Sequence, residues 1–372
     1  MEKILKRIYP ITTLAGAIIG VGFLSLPYVA MKVGIITMLI YFVVITALVV
    51  LIHLLFAEVS LQTPDFLRLP AFARIHLGKA AGWVALISMV VGSVGILLAY
   101  IVIGGQFLGN LLLPVLGGTA PLYTVIYFVL ASLFIFWDIK LISRMQFWAI
   151  LLLFLSIIVL FVHDFSFLNF SNVSSDLFSQ GDLFLPYGIL LFALWGAAMV
   201  PEVEEMLGKD KKQFKKVIFW GTIIPAVFYM VFMVLVVLIS GENTSADAIT
   251  GLKNIIGPGA ADILFFAGFL ATFSAFAAMG LILKKVFWYD LKIPKNLSWL
   301  LTIFFPFLFY YLGFNNFIGI IGFIGGILLA IDGILILLMY RKVKGRKSNI
   351  LVYPLTLIFL AGIIYQIIYS LT

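Results

Sequence analysis

The chain contains no cysteine and few charged residues. Without thiols it can form no disulfide, no thiol redox centre and no cysteine-ligated zinc site. Charged residues make up only 11% of the 372 residues, whereas about 25% is usual in a soluble domain. Because 64% of the residues are hydrophobic, the composition excludes a soluble globular protein and favours one embedded in a lipid bilayer.

Motifs of catalysis and metal binding are also missing. The three histidines are scattered along the chain without the spacing of metal ligands. The sequence has neither an HExxH motif nor a nucleophile elbow. The pair Tyr289-Asp290 matches one half of the intramembrane aspartyl protease signature, but no GxGD motif accompanies it. We therefore expect no enzymatic activity and no organic cofactor.

Apolar runs of about 20 residues dominate the sequence. Each is long enough for a transmembrane helix, and their continuous rather than alternating hydrophobicity excludes transmembrane strands. Eleven spans are predicted, at approximately residues 11–31, 35–57, 81–111, 121–137, 145–162, 183–203, 217–240, 258–283, 297–312, 316–340 and 350–370.

The basic residues predict how these spans are oriented. If the N-terminus is cytoplasmic, 22 of the 24 Lys and Arg residues lie on the cytoplasmic side, and only Lys32 and Lys253 lie outside. The net charge of +8 then reflects membrane topology rather than nucleic acid binding. We expect an integral protein of a prokaryotic plasma membrane, with its C-terminus outside. No sequence feature indicates an oligomeric state.

Two spans carry features that an anchoring helix does not need. Span 1 contains Gly16, Gly20 and Gly22 near its middle, and span 6 contains Gly196 shortly before Pro201. Both are predicted to unwind, which is tolerated within a bilayer only where the backbone lines a cavity. Unwinding exposes helix ends of opposite partial charge, which suits a zwitterion. The alternative in span 1 is close packing of two helices across Gly16 and Gly20.

The positions of these two features predict an inverted repeat. Five spans separate the start of span 1 from the start of span 6, so the chain enters span 1 from the inside and span 6 from the outside. Interrupted helices at corresponding positions of two inverted halves indicate a transporter site. We therefore predict an all-α membrane protein with two five-helix repeats, residues 1–165 and 166–345, and an eleventh span within residues 346–372.

The sequence resembles the amino acid/auxin permease family, within the amino acid-polyamine-organocation superfamily of LeuT-like fold. The resemblance covers nearly the whole chain. Its motifs are GAIIGVGFLSLP in span 1, EVSLQTP after span 2, FALWGAAMVPEVEEMLGKD in span 6 and KKVFWYDLKIPK after span 8. It implies secondary transport of L-amino acids by alternating access. An amino-acid-sensing receptor of the same fold is the alternative.

The resemblance also implies which residues bind the substrate. Backbone N–H groups in span 1 would hold the carboxylate, and carbonyls in span 6 would receive the ammonium. Aromatic side chains of spans 3 and 6 are candidates for the pocket wall, although core packing or lipid contact explains them equally. The candidate residues are Gly20, Val21, Gly22, Phe192, Leu194, Trp195, Gly196 and Tyr100. Because no acid or base lies beside either broken segment at bilayer depth, we expect a neutral substrate, aromatic or aliphatic.

Two coupling ions, Na+ and H+, are compatible with the sequence. The resemblance implies a sodium site between spans 1 and 8, although Ala275 stands where a second hydroxyl is expected after Ser274. Asp332 is the deepest acid in an apolar span, and it either binds a proton or plays a structural role. The candidate ion-coupling residues are Gly16, Ile19, Thr272, Ser274 and Asp332.

Other polar residues near the spans suggest structural roles. Glu58 ends span 2 and is expected to pair with Arg68 as an interfacial or gating charge. Asp262 follows the start of span 8, where an acid stabilises the helix dipole. His53 lies inside span 2, and the sequence shows no evident partner for it.

Overall fold

The computed structural model describes residues 2–63, 67–136, 168–174, 183–208 and 211–371, together with positions 145, 148, 149, 151, 152, 154–156 and 158. Predicted span 5, residues 145–162, lies largely outside the described residues. The described helices are α1 Glu2–Ile18, α2 Leu26–Val33, α3 Ile35–Ser60, α4 Leu69–Leu77, α5 Lys79–Leu116, α6 Ala120–Phe134, α7 Ser171–Ser174, α8 Leu185–Leu194, α9 Val200–Leu207, α10 Lys211–Ser240, α11 Ile249–Ile256, α12 Pro258–Lys285, α13 Lys295–Tyr311, α14 Phe317–Phe323, α15 Ala330–Lys344 and α16 Asn349–Leu371.

The described part of the chain is entirely helical. Seven of its helical segments are long and apolar enough to cross a membrane, or eight if the bent pair α1 and α2 is one span. Helices are favoured because lipid cannot hydrogen-bond to free backbone groups. Many large apolar side chains, among them Val43, Trp83 and Ile87, are exposed on the outside, as a lipid-facing surface requires. The predicted helical membrane class is confirmed.

Glycines bring two of the helices into backbone contact. A π-helical turn, Ile324–Leu329, joins α14 to α15. Gly325 in this turn packs on Gly188 of α8 so closely that an added Cβ would overlap the Gly188 carbonyl oxygen. Small residues permit such close approach between membrane helices. The first half of span 6 is therefore held directly against the middle of span 10.

Ion pairs join the helix ends on one side of the bundle. Lys215 Nζ of α10 lies 2.5 Å from Glu58 Oε1, and Lys344 Nζ of α15 lies 2.8 Å from Glu58 Oε2. Arg68 Nη1 lies 2.9 Å from Asp290 Oδ2. The predicted Glu58–Arg68 pair is therefore wrong, because each residue pairs with a helix end that is distant in sequence. All five residues belong to segments predicted to face the cytoplasm.

Two further expectations about individual residues are revised. Asp262 lies beyond the first turn of α12, with an exposed side chain, so it does not cap the helix. Instead, α12 begins after Gly257, whose φ of 85° favours glycine and turns the chain. His53 does have partners, which belong to the site described next.

Candidate functional site

Span 1 is broken where its glycines predict it. Helix α1 ends at Ile18, and Gly20 is extended, with φ −123° and ψ −159°. A 3₁₀ turn over Val21–Ser25 then leads into α2. The two parts of the span meet at a bend of 50°. The first N–H groups of the second part and the last carbonyls of the first part therefore lack helical partners.

Span 6 is broken in the same way. Helix α8 ends at Leu194, and Trp195 is extended, with φ −74° and ψ 124°. Gly196 has φ −136° and ψ 14° and precedes a 3₁₀ turn over Ala197–Met199. Helix α9 then continues to Leu207. This second predicted break is therefore also present.

The two broken spans cross in direct contact. A Cβ added at Gly22 would lie 2.8 Å from Phe192 Cδ1 and 2.9 Å from Ala193 Cα. A Cβ added at Gly196 would lie 2.7 Å from Ile18 Cγ1. All three distances are shorter than ordinary carbon contacts, so Gly22 and Gly196 permit the crossing.

A narrow cavity adjoins the break of span 1. Its volume of about 20 Å³ has room for about one water molecule. Spans 1, 3 and 8 line it through Ile19, Gly20, Val21, Phe23, Leu24, Tyr100, Gly268, Ala271, Thr272 and Ala275. Five residues singled out from the sequence thus share one cavity: Ile19, Gly20, Val21, Tyr100 and Thr272.

The other predicted site residues do not line this cavity. Phe192 packs on Gly22, next to the lining residue Val21. Leu194 is fully buried in the core, and the ring of Trp195 packs edge-on against His53, with 5.8 Å between ring centroids. Span 6 thus reaches the cavity indirectly, through its contact with the broken segment of span 1.

Two tyrosines satisfy backbone groups that the break of span 1 leaves free. Tyr229 of α10 donates a hydrogen bond to the Ile18 carbonyl oxygen at 2.8 Å, and its oxygen also faces the Gly20 N–H. The Tyr100 hydroxyl lies within hydrogen-bonding reach of the Val21 backbone. Tyr229 was not among the residues predicted from the sequence. Its position within an apolar span is a usable signal, because a buried tyrosine hydroxyl usually has a hydrogen-bond partner.

A histidine satisfies the break of span 6. The Gly196 N–H donates to His53 Nε2 at 3.1 Å. His53 Nδ1 lies 3.0 Å from Thr222 Oγ1 of α10. His53 is fully buried, so both ring nitrogens are engaged within the protein.

The predicted sodium-binding residues are only partly assembled. Thr272 lines the cavity and donates to its own helix, at Gly268 O and Phe269 O. Ser274 donates to Ala271 O at 3.1 Å and does not line the cavity. Gly16 likewise lies outside the lining. Of the five candidate ion-coupling residues, only Ile19 and Thr272 line the cavity.

Asp332 lies apart from the cavity, between α15 and α5. Its side chain is 7% exposed, and among the described residues its Oδ1 has no hydrogen-bond partner. The carboxyl group is within hydrogen-bonding reach of Ser88. Ser88 Oγ donates to the Leu328 carbonyl in the π-helical turn at 3.0 Å. Asp332 is thus buried beside one polar side chain.

A solved structure shares this fold. The crystal structure of MhsT in complex with L-phenylalanine aligns with a TM-score of 0.60 at 12% identity, and the alignment covers 96% of this chain and 97% of that chain. It is one of 105 matching chains of known structure. The LeuT-like fold is thereby confirmed. No curated protein sequence matches the chain.

The sequence also matches a known family almost from end to end. The model of the tryptophan/tyrosine permease family matches residues 6–370. The expectation of a permease is therefore confirmed, but the narrower assignment to the amino acid/auxin permeases is replaced. A permease family and a transporter-like fold indicate a transporter rather than an enzyme. The chain belongs to the tryptophan/tyrosine permease family.

Proposed function

We propose that the protein is a secondary transporter that carries aromatic L-amino acids across the membrane by alternating access. The observation that carries this proposal is the cavity at the break of span 1, where free backbone groups and Tyr100 meet. Membership of the tryptophan/tyrosine permease family supports an aromatic substrate. The matching MhsT structure, which holds L-phenylalanine, supports it as well.

The substrate carboxylate binds at the break of span 1 in this proposal. The N–H groups of Gly20, Val21 and Gly22 begin a helical segment and lack helical partners. Helix N-termini attract anions because their N–H groups and dipole point towards the ligand. The Tyr100 hydroxyl is placed to donate one further hydrogen bond.

The substrate ammonium binds at the break of span 6. The carbonyls of Phe192, Leu194 and Trp195 lie at the end of α8, where helical donors are missing. Gly196 permits the chain to leave the helix there. The Phe192 ring, half-buried against Gly22, supplies an aromatic surface for the substrate side chain.

The described conformation is closed around this site. A cavity of about 20 Å³ is too small for an aromatic amino acid, since it has room for about one water molecule. Substrate therefore enters only when the cavity walls separate, and it selects a more open conformation. Such opening on alternate sides is the expected transport motion of two inverted repeats.

The proposal includes the predicted topology. Two inverted five-helix repeats and an eleventh span place the N-terminus inside and the C-terminus outside a prokaryotic plasma membrane. The ion pairs of Glu58 and Arg68 support this orientation, because they gather residues from segments that carry most of the basic charge.

A proton bound at Asp332 is the coupling ion that we favour. Within the described part of the chain one oxygen of this buried carboxyl group has no hydrogen-bond partner, and a charged carboxylate with so few partners is expensive to bury. Because Ser88 donates its only hydroxyl hydrogen to Leu328, a hydrogen bond between the Ser88 oxygen and Asp332 would need a hydrogen on the acid. Sodium at Gly16, Ile19, Thr272 and Ser274 is the alternative.

Uptake by the purified protein in liposomes tests the function. Labelled Trp, Tyr, Phe and Leu would be supplied with a pH gradient and a Na+ gradient imposed separately. We expect uptake of the aromatic amino acids under the pH gradient. Binding without uptake under either gradient would identify the receptor alternative, and uptake of Leu alone would exclude an aromatic substrate.

Matched variants test the two sites. Tyr100→Phe should weaken binding of labelled Trp, whereas Tyr187→Phe should not, because the buried Tyr187 hydroxyl has no hydrogen-bond partner among the described residues and lies outside the cavity. Asp332→Asn should abolish uptake driven by a pH gradient, whereas Asp262→Asn, at an exposed site, should retain it. Uptake that follows a Na+ gradient and survives Asp332→Asn would favour the sodium alternative.

A further inference from the structure

His53 connects three helices at the break of span 6. Its ring belongs to α3, accepts the Gly196 N–H through Nε2 at 3.1 Å and contacts Thr222 of α10 through Nδ1 at 3.0 Å. It also packs against the ring of Trp195, which is the extended residue before Gly196. The imidazole is therefore the side chain that holds the unwound segment in place.

The hydrogen bonds define the protonation state of this ring. Thr222 donates its only hydroxyl hydrogen to the Ile218 carbonyl oxygen at 2.9 Å. Its oxygen must then accept a hydrogen from His53 Nδ1. Since Nε2 accepts the Gly196 N–H, the imidazole is neutral, with its hydrogen on Nδ1.

This bond changes the balance of donors and acceptors at the break. In a continuous α-helix, the Gly196 N–H would bond to the carbonyl of Phe192, four residues earlier. His53 takes this N–H instead. The Phe192 carbonyl is thereby left without its helical donor. Phe192 lies near the end of α8, where the chain packs against Gly22 of span 1.

We propose that His53 is a positioning residue that makes the break of span 6 selective for a cation. It occupies the Gly196 N–H, which in a continuous helix would bond to the Phe192 carbonyl, and this carbonyl then receives the substrate ammonium. The proposal rests on the proposed transport of amino acids. It adds a residue outside the cavity that determines which end of the substrate span 6 accepts.

The break of span 1 provides an internal contrast. There, Tyr229 donates to the Ile18 carbonyl oxygen and its own oxygen faces the Gly20 N–H, so it engages a backbone acceptor as well as a donor, whereas His53 engages a backbone donor. Removing the Tyr229 hydroxyl should therefore affect recognition of the carboxylate, and removing the His53 ring nitrogens should affect recognition of the ammonium.

Binding competition against labelled L-tryptophan tests this assignment. The competitors are L-tryptophan, indole-3-propionate, which lacks the ammonium, and tryptamine, which lacks the carboxylate. His53→Leu removes the acceptor, His53→Gln keeps an oxygen acceptor near the position of Nε2, and Tyr229→Phe is the control at the other break. Size-exclusion profiles of the purified variants establish that each protein is folded.

We expect His53→Leu to weaken binding of L-tryptophan roughly 10- to 100-fold, the range for loss of a hydrogen bond to a charged group. The affinity for indole-3-propionate should change little. In wild-type protein this compound is expected to bind more weakly than L-tryptophan, and in His53→Leu that disadvantage in affinity should disappear. His53→Gln should retain that disadvantage. Tyr229→Phe should leave it intact while weakening L-tryptophan and indole-3-propionate together.

Two results would overturn the proposal. One is a His53→Leu protein in which L-tryptophan and indole-3-propionate weaken equally, which would indicate a purely structural role. The other is a His53→Gln protein that behaves like His53→Leu. If the wild-type protein bound none of the three compounds, the proposed function itself would fail. This outcome is seen in the wild-type protein alone, whereas failure of the His53 proposal is seen only when the variants are compared with it.

Nitrogen NMR tests the bond independently of transport. The chain has only three histidines, so histidine-selective ¹⁵N labelling, with His53→Gln as the assignment control, isolates one ring. We expect a protonated Nδ1 and an unprotonated Nε2 that remains so when substrate is added. A ring with its hydrogen on Nε2, or a doubly protonated ring, would exclude the Gly196 bond and refute the proposal.

Discussion

The two broken spans use the same backbone device in different surroundings. The break of span 1 borders a cavity and is built from small residues, Gly20 and Gly22. The break of span 6 is packed against the core through Trp195 and is closed by His53. Unwinding frees donors and acceptors in equal number, so the neighbouring side chains decide which of them a ligand meets.

The side chains that make this choice come from helices that are themselves unbroken. Tyr229 and Thr222 lie on α10, His53 on α3 and Tyr100 on α5. Each is buried, and each bonds to backbone, or to a residue that does, at one of the breaks. The contrast teaches that the chemical character of an unwound segment is set by its neighbours as much as by its own sequence.

Gly20→Leu should have the largest effect, because it fills the site at the break of span 1. Even a Cβ at this position would lie 3.2 Å from the Tyr100 hydroxyl oxygen, and the longer side chain would occupy a cavity of about 20 Å³. We expect a folded, membrane-inserted protein that no longer binds labelled Trp. Unchanged binding would show that the substrate site lies elsewhere.

Gly22→Ala should come next, because it separates the two breaks. The new methyl group would press on the Phe192 ring and on the Ala193 backbone, and overpacking of this kind destabilises by about 1–3 kcal/mol. We expect a lower melting temperature and weaker Trp binding. Gly16→Ala is the matched control, since nothing lies within 4 Å of a Cβ added there. Equal effects of the two substitutions would refute the contact.

Tyr229→Phe should have an intermediate effect on stability. It leaves the Ile18 carbonyl, which now accepts a hydrogen bond at 2.8 Å, without this partner in a buried site, at a cost of about 1–3 kcal/mol. Thermal unfolding in detergent would measure the loss. Tyr187→Phe, which removes a buried hydroxyl with no partner among the described residues, should leave the melting temperature unchanged. A Tyr229→Phe protein as stable as wild type would contradict the role of this bond.

Gly196→Ala should have the smallest effect, which sharpens the contrast with Gly22. Its φ of −136° is accessible to other residues, and the nearest atoms to the added Cβ belong to the side chains of Ile18 and Leu14, whereas a Cβ at Gly22 also meets the Ala193 backbone. We expect Trp affinity within about threefold of wild type, since this corresponds to less than 1 kcal/mol. Complete loss of binding would show that the backbone at Gly196 itself contacts the substrate.

The sequence predicts the breaks well because both are local signals. Three glycines within one apolar span, and Gly196 before Pro201 in another, identify places where a helix loses stability. The helical spans are equally readable, since run length and composition define them without any knowledge of packing. The helical class and both breaks were therefore predictable.

Contacts between spans were not predictable from a single sequence. His53 meets Gly196 and Thr222, and Tyr229 meets Ile18, across more than a hundred residues of chain. Such pairs depend on the rotation of each helix about its axis, which a uniformly apolar span does not reveal. For the same reason the contacts of Phe192 with Gly22 and of Trp195 with His53 could not be predicted. The family was misassigned within its superfamily because the motifs of spans 1 and 6 are shared across it.

The contact between Gly188 and Gly325 couples the two halves of span 6 unequally to span 10. With no side chain between the two backbones, α8 packs directly on the π-helical turn, and a close-packed contact of this kind transmits displacement rather than absorbing it. Asp332 lies about two helical turns beyond Gly325 on the same continuous helix. A shift of that helix would therefore be passed directly to the upstream half of span 6, while α9 would follow only through the torsion angles of Trp195 and Gly196.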